Sequence, residues 1–530
     1  MSPRFLPVGP RTLLVELADL EATLALFDAL AADPPPGMGE VVPGARTLMV
    51  RAAPGHRADG RLAAAIAART PRAAGPREGR GEVVEIPVTY DGEDLAEVAD
   101  HLGLSVAEVV AAHGAATWQV AFCGFAPGFA YMTGDDPRFE LPRRASPRPR
   151  IPAGAVALAG RFCGVYPKAS PGGWQLIGTT PLAMWDLARD PPALLCPGGR
   201  VRFVERRGPV RAAAAPPSPA PERDPEPDPG PGLRVLATAF PILVQDAGRP
   251  GLTAMGISAS GAMDLPSLRR ANARVGNPEG APALEIALGP VRLAVDAPAT
   301  LALDGAVGRA WIEAGRARVP VDTARPFALD PGEALAIAPP ERGMRAYLAA
   351  RGGFAVPASL GSAASDTLAG LGPAPLGPGA RVALAGRPAG AVDPHPAAPP
   401  RLPAPGETVE LPVTLGPRAD WFPEAAVESL LSQAWEVTAQ SSRVGVRLAG
   451  EALGREDARE LPSEGTERGA IQVPHSGQPV LFLADHPLTG GYPVIATVRP
   501  EALALAGQIP PGARVRFRAD RPFSPIEPTP

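Results

Sequence analysis

Gly172-Gly173-Trp174-Gln175-Leu176-Ile177-Gly178-Thr179, a glycine turn running into a short apolar strand, has a second rendering late in the chain: Gly490-Gly491-Tyr492-Pro493-Val494-Ile495-Ala496-Thr497. Each follows a β-branched residue and a proline, Ile151-Pro152 and Val473-Pro474. The echo supports related barrels in the two halves; chance convergence of glycine-rich turns is the alternative. Around both copies the pattern is the same, with short β runs at Val156–Ala159, Val201–Val204, Leu284–Leu288, Leu335–Ile337 and Val480–Leu483. Many short strands punctuated by Gly and Pro indicate antiparallel barrels or sandwiches. Strands alternating with long helices are absent, which argues against a Rossmann sheet or a TIM barrel.

The N-terminal region reads differently. Thr12–Leu17 is a strand, Leu20–Ala32 an apolar-periodic helix, Glu40–Val42 and Thr47–Arg51 short strands, His56–Arg69 an Ala-rich helix and Val83–Val88 a closing strand. That β-α-β-β-α-β order suggests a ferredoxin-like α+β unit. Two short helices follow, Asp94–His101 and Ser105–Ala112, separated by Gly103. The second carries no basic residue, so a packed helical hairpin is favoured over a DNA-reading helix-turn-helix. Ala212–Pro231, AAAAPPSPAPERDPEPDPGP, is too proline-rich and too apolar-poor to pack and reads as a semi-rigid tether. Softer joints lie at 71–81 and 388–406. The expected units are 1–80, 82–210, the tether 212–231, then 232–387 and 407–521.

Composition narrows the chemistry. The chain has 530 residues, with 51 basic and 55 acidic side chains and a formal charge of −4. Such a balance argues against nucleic acid or an anionic membrane as partner, because phosphate neutralisation needs a basic face. No stretch of about 20 apolar residues appears, and neither a spanning helix nor a secretory signal is indicated. Three cysteines, Cys123, Cys163 and Cys196, without a CxxC pair, fit a reducing cytoplasm and leave no zinc cage. Lys168 is the only lysine and lies between Pro167 and Ala169. A Walker loop needs a lysine after its glycines, and a biotin acceptor lysine usually stands between methionines, so neither is expected.

Three segments collect chemistry-bearing residues. Residues 122–174 combine aromatic side chains and glycine turns with Arg138, Arg143, Arg144, Arg148 and Arg150. Glycines let a ligand approach the backbone, and arginine presents a planar fork to carboxylate or phosphate; as an ensemble this favours an anionic-ligand site. Residues 243–285 hold both asparagines of the chain, Asn272 and Asn277, beside Asp246 and Arg249. An Asx turn at Asn277 and an N-cap at Asp264 are the structural alternatives. Residues 459–498 carry Glu464, Gln472, His475, Gln478, Asp485 and His486 on loops beside strands, without metal spacing. His56, His101 and His113 read as surface or cap residues, and Cys123 as a buried thiol.

These blocks resemble two known families. Gly124-Phe125, Pro127-Gly128-Phe129, Pro147-Arg148, Pro152-Ala153-Gly154, Gly164-Val165-Tyr166-Pro167 and Pro171-Gly172-Gly173-Trp174 are similar to the allophanate hydrolase subunit 1 family, which includes the B subunit of 5-oxoprolinase. Val244-Gln245-Asp246, Gly248-Arg249-Pro250-Gly251, Ala271-Asn272, Gly276-Asn277, Leu284-Glu285 and Arg351-Gly352-Gly353 resemble the allophanate hydrolase subunit 2 family, which includes the C subunit of 5-oxoprolinase. Ser463-Glu464-Gly465, Gln472-Val473-Pro474, Gly477-Gln478-Pro479 and Thr489-Gly490-Gly491-Tyr492 continue that match. His486-Pro487 stands where the family commonly has Arg-Gln beside Asp485. The resemblance implies a fusion of two polypeptides usually made separately. The fold class expected is mainly β with α+β: cyclophilin-like β-barrels in both halves and a small ferredoxin-like α+β domain at the N-terminus.

By the same resemblance, the expected activity is ATP-dependent opening of 5-oxo-L-proline to L-glutamate. ATP with Mg²⁺ would be used, no biotin would be attached, and the 5-oxoprolinase A subunit would be a separate chain. A carboxyltransferase module served by a separate biotinylated protein, and a non-enzymatic histidine-kinase inhibitor, are the other readings. Asp246, Arg249, Glu285 and Glu464 are the catalytic candidates. Phe125, Gly128, Arg148, Gly154, Tyr166, Gly173, Trp174, Asn272, Asn277, Arg351, Gln472, Gln478, Asp485 and Tyr492 are the binding candidates. No resident metal site, nucleic acid or membrane is expected, the location is cytoplasmic, and a homo-oligomer is left open.

Overall fold

A computed structural model describes residues 3–69, 80–144, 146, 148–206, 230–393, 398–455 and 461–529. The tether at 212–231, apart from its last two residues, and most of the 71–81 joint lie outside the described residues. The chain is mainly β with α+β, as expected.

The first barrel orders its strands Gln175–Thr179, Ala155–Ala159, Phe162–Val165, Ala130–Gly134, Trp118–Cys123, Gly199–Glu205 and Arg80–Val88. The second orders them Val494–Val498, Ala470–Gln472, Val480–Phe482, Gly445–Ala449, Trp435–Val437, Arg514–Ala519 and Thr408–Leu415. Matched position by position in chain order, the two barrels share one topology. In each, the first and last strands pair in parallel while the other neighbours run antiparallel. Each also carries a two-stranded flap, Arg148–Ile151 with Ser170–Gly172 and Glu464–Gly465 with Thr489–Gly490. The second ring is closed by Val413 pairing with Val498, whereas the first meets its far edge at a single bridge, Thr89 with Thr179. Even a side-chain detail repeats: Trp118 Nε1 donates to the His113 carbonyl and Trp435 Nε1 to the Leu430 carbonyl, each five residues back.

The N-terminal sheet differs from its expectation in one strand. Its order is Arg4–Gly9, Thr12–Glu16, Thr47–Ala52 and Met38–Pro43, all antiparallel. Arg80–Val88, expected to close this sheet, instead pairs in parallel with Gly199–Glu205 in the first barrel. The vacated position is taken by Arg4–Gly9, so the ferredoxin-like arrangement is completed from the other end of the segment. Both faces of this sheet are covered. Phe5, Leu13 and Leu48 pack against the helices Leu20–Ala32 and Gly60–Ala67, while Leu6, Leu14 and Met49 face Leu488 of the second barrel. Strands buried on both faces read as apolar runs rather than alternations, as TLLVE does here.

Residues 232–384, expected as a barrel, form two open sheets of seven and five strands around one core. Leu284, Leu301 and Leu348 point into that core. Their small neighbours Ala283, Ala302 and Ala349 face the helix Leu265–Arg274, which covers the other side of the five-stranded sheet. Asp264 caps that helix, accepting from the Ser267 N–H. The expected helical hairpin is present as Leu95–Leu102 and Val106–Ala115, with Gly103 left-handed at φ 65°.

Candidate functional site

The echoing turns meet. Between the first barrel and the second-barrel flap lies a cavity of about 140 Å³, lined by Phe125, Phe129, Tyr131, Tyr166, Trp174, Arg143, Gly172 and Gly173 from one half. Ser463, Thr489, Gly490 and Gly491 complete it from the other. The rings hold one another edge to face: Phe129 is 5.3 Å from both Tyr166 and Trp174, and Phe125 is 6.1 Å from Tyr166. Such contacts fix ring planes as well as burying area. Phe125 sits at φ 64°, and its N–H donates to Thr489 Oγ1 at 3.0 Å, so a contact between the halves holds the turn. Gly124 is required there, because a Cβ would overlap the Thr489 side chain. Burial raises the Tyr131 and Tyr166 phenols, which stay neutral donors. Gly128 and Gly154, both with φ near 80°, shape neighbouring turns against Met184 and Thr180.

A buried charge network joins the middle sheets to the second barrel. Arg443 reaches Glu285 at 2.5 Å and Asp485 at 2.9 Å. Glu285 also accepts from Tyr347 Oη at 2.7 Å and the Met263 N–H at 3.1 Å. Asp485 accepts from Ser260 Oγ at 2.6 Å and Thr367 Oγ1 at 2.8 Å. Burial is the largest influence and would push Glu285 and Asp485 up, but Arg443 together with Arg345 and Tyr347 at Glu285, and with Ser260 and Thr367 at Asp485, outweighs it and holds both below the usual carboxylate range. Glu464 pairs with Arg418 at 2.7 Å, and Arg418 also grips Glu16 of the N-terminal sheet at 2.6 Å. For Glu464 burial wins over Arg418, and its carboxyl is raised.

The other candidates are placed as follows. Asp246 ties two loops together, accepting from Gly248 N, Ser362 Oγ and Ala363 N. Arg249 is 2% exposed and donates to the Ser359 and Ala364 carbonyls, while its Nη1 has no partner. Asn277 donates to Asn272 Oδ1 and the Ala350 carbonyl and accepts from Gly352 N; Asn272 donates to the Ala281 carbonyl. The asparagine pair therefore fastens the end of its helix. Arg148 is engaged with Asp94 at 2.8 Å and Glu93 at 3.0 Å, and Arg351 with the Val275 and Gly390 carbonyls. Gln472 donates to the Tyr492 carbonyl, Gln478 clamps both backbone groups of Gly450, and Tyr492 is exposed against His475. Only Phe125, Tyr166, Gly173 and Trp174 of the binding candidates line the aromatic cleft.

Arg443, Arg418 and Tyr131 are the residues that sequence reading missed; Arg143 and Thr489 entered only as members of the arginine-rich segment and of the Thr489-Gly490-Gly491-Tyr492 block. The nearest signal was Thr489, beside the repeated glycine turn. His113 is a correction: it is fully buried rather than at the surface. Tyr90 Oη lies 2.8 Å from its Nδ1 and Cys163 Sγ 3.5 Å from its Nε2. Burial pushes His113 down to about 3 and the Cys163 thiol well up, so the pair is neutral packing rather than an activated nucleophile. Lys168 donates to the Leu368 carbonyl across the halves. No helix of the described residues is long and apolar enough to cross a membrane.

Comparison with known proteins matches both halves. The family "Carboxyltransferase domain, subdomain C and D" matches residues 3–195, and "Carboxyltransferase domain, subdomain A and B" residues 255–519. The C subunit of 5-oxoprolinase from Escherichia coli (strain K12) is 35% identical over 288 residues, 54% of this chain and 90% of that protein. The B subunit of 5-oxoprolinase from Bacillus subtilis (strain 168) is 51% identical over 125 residues, 23% of this chain and about half, 52%, of its own length. Urea amidolyase of Lachancea kluyveri is 33% identical over 304 residues, 52% of this chain but 16% of that protein. The crystal structure of TTHA0988 superposes with a TM-score of 0.78 at 38% identity, covering 96% of this chain and 99% of that one.

Proposed function

The chain belongs to the carboxyltransferase-domain family through both of its halves, and from that premise we propose that it is the fused B and C component of an ATP-dependent 5-oxoprolinase. With a separate A component it opens 5-oxo-L-proline to L-glutamate. The observation that carries this reading is the aromatic cleft built jointly by the B-like and C-like halves. Its volume, about 140 Å³, is close to the ~150 Å³ that accommodates a benzene ring, so a single five-membered lactam is the right size. A lactam carbonyl is a poor electrophile. Phosphorylation of its oxygen by ATP activates the amide carbon towards water. The resulting tetrahedral adduct breaks its ring C–N bond, the amine leaving as it is protonated, and a second water hydrolyses the acyl phosphate so formed to glutamate and phosphate.

In that scheme Phe129, Tyr131 and Trp174 wall the ring away from bulk water. The phenols and the backbone of Gly173 and Gly490 supply hydrogen-bond groups at its edge. A nucleoside triphosphate needs more room than this cleft, so in this reading ATP binds elsewhere in the complex. Among the described residues no three His, Cys, Asp or Glu side chains are grouped to hold a metal ion; Mg²⁺ would arrive with the nucleotide.

The test is direct. Purified chain, the separate A component, MgATP and 5-oxo-L-proline should release glutamate and phosphate in equal amounts, and Trp174→Ala should cut that rate by at least about ten-fold. No glutamate from the complete mixture sinks the proposal. The match to urea amidolyase supports a second reading, a carboxyltransferase served by a separate biotinylated protein. Activity that requires such a protein and is blocked by avidin would favour it instead.

A further inference from the structure

Where the N-terminal sheet, the 247–260 loops and the second barrel meet, there is another cavity, of about 310 Å³. It is lined by residues with polar atoms that the protein leaves without hydrogen-bond partners: Arg249 Nη1, Arg468 Nε, Thr497 Oγ1 and Glu40 Oε1. Arg249 is 2% exposed and Thr497 3% exposed. Buried donors of this kind are rare, because an unpaired polar group in a low-dielectric interior is expensive. Three donors around one cavity, Arg249 Nη1, Arg468 Nε and Thr497 Oγ1, point to an acceptor ligand that satisfies them; the fourth atom, Glu40 Oε1, belongs to a carboxylate already paired with Arg51.

The charges around the cavity set its sign. Arg51 holds both local carboxylates, Glu40 and Glu467, the latter at 3.0 Å. Arg249 and Arg468, by contrast, donate only to backbone carbonyls among the described residues, at Ser359 and Ala364 and at Ala262 and Met263. Three carboxylates lie behind Arg249 without bonding to it. Asp246 is taken by Gly248, Ser362 and Ala363, Asp485 by Arg443, Ser260 and Thr367, and Asp366 by the Leu368 and Ala369 N–H groups. Two guanidiniums without a bonded counter-ion among the described residues, plus a free hydroxyl, give the cavity a cationic wall. A planar carboxylate satisfies a guanidinium fork, with Thr497 supplying a third donor.

We propose that this three-way junction is a binding site for a small carboxylate, distinct from the aromatic cleft and built only when all three units are together. It stands independently of the lactamase reading, because binding is read on the chain alone. Titrating the full chain with glutarate in a calorimeter should give one site per chain, while neutral glutaramide should give none. Arg249→Gln and Thr497→Val should each weaken glutarate binding by about ten-fold or more. Thr497→Val, a near-isosteric change, keeps the test alive if the arginine variant does not fold. Equal binding of glutaramide, unchanged affinity in Thr497→Val, or tighter binding of inorganic phosphate than of glutarate would overturn the assignment.

Discussion

At the residue scale, Asp366 connects burial to pH. One of its oxygens accepts from the Leu368 and Ala369 N–H groups at 3.0 and 2.7 Å, and the other has no partner. Burial first, and then the nearby Asp485, push its carboxyl up to about 6. An unfolded Asp titrates near about 3.9. Between those values the folded chain keeps a proton that the unfolded chain has lost, so stability falls as pH rises from about 4 to about 6, by roughly 3 kcal/mol in all. Asp366→Asn keeps the acceptor and removes the charge. Its melting temperature should exceed the parent's at pH 7.5 and converge with it near pH 4.5; parallel curves would show that the carboxyl is already ionised. Single residues are legible where their partners are local. The Asp264 cap follows from Ser267 three positions away, whereas Asn277, expected in an Asx turn, spends its side chain on the Ala350 carbonyl and the Gly352 N–H, 73 and 75 positions on. Arg443 with Glu285, 158 positions apart, and Arg418 with Glu16, 402 apart, leave no trace in any window of sequence.

At the scale of elements, alternation reveals strands but not their partners. Leu20–Ala32 is readable to the residue because its periodicity begins at the Asp19 cap. Arg80–Val88 reads as a strand, yet its sheet cannot be read with it, since its parallel partner lies more than a hundred residues downstream. Arg4–Gly9 escapes notice because it is buried on both faces and contains Pro7, which hides the alternation. The buried Trp118 and Trp435 open equivalent strands and make the same indole-to-carbonyl bond, at 3.2 and 3.0 Å. Replacing either with Phe removes the donor, strands a buried carbonyl and leaves a small void, a loss of about 2–4 kcal/mol. The two variants should destabilise the protein to similar extents in urea unfolding followed by circular dichroism. A large loss in one and none in the other would mean that the duplication is topological only.

For the whole molecule, the two halves are held together by contacts that do not need the tether. Arg4 pairs with Asp420 at 2.8 Å and Arg51 with Glu467 at 3.0 Å; the Phe125 N–H reaches Thr489 at 3.0 Å. Chain cut by a protease site inserted within 212–229 should therefore still co-purify as a pair through size exclusion; separate elution of the fragments would refute this. The N-terminal sheet packs on the second-half barrel rather than standing apart, which composition could not foretell. The barrels also have a mechanical side. In each, the strand where the chain enters lies parallel to the strand where it leaves, with Thr408–Val413 facing Arg514–Ala519 in register. Tension applied to the two ends of such a barrel drags these neighbours in opposite directions along their length. All the ladder bonds between them are loaded in shear at once instead of unzipping singly. A threading protease pulling on either half would meet its greatest resistance at that seam, so forced unfolding should be governed by the rate at which it ruptures.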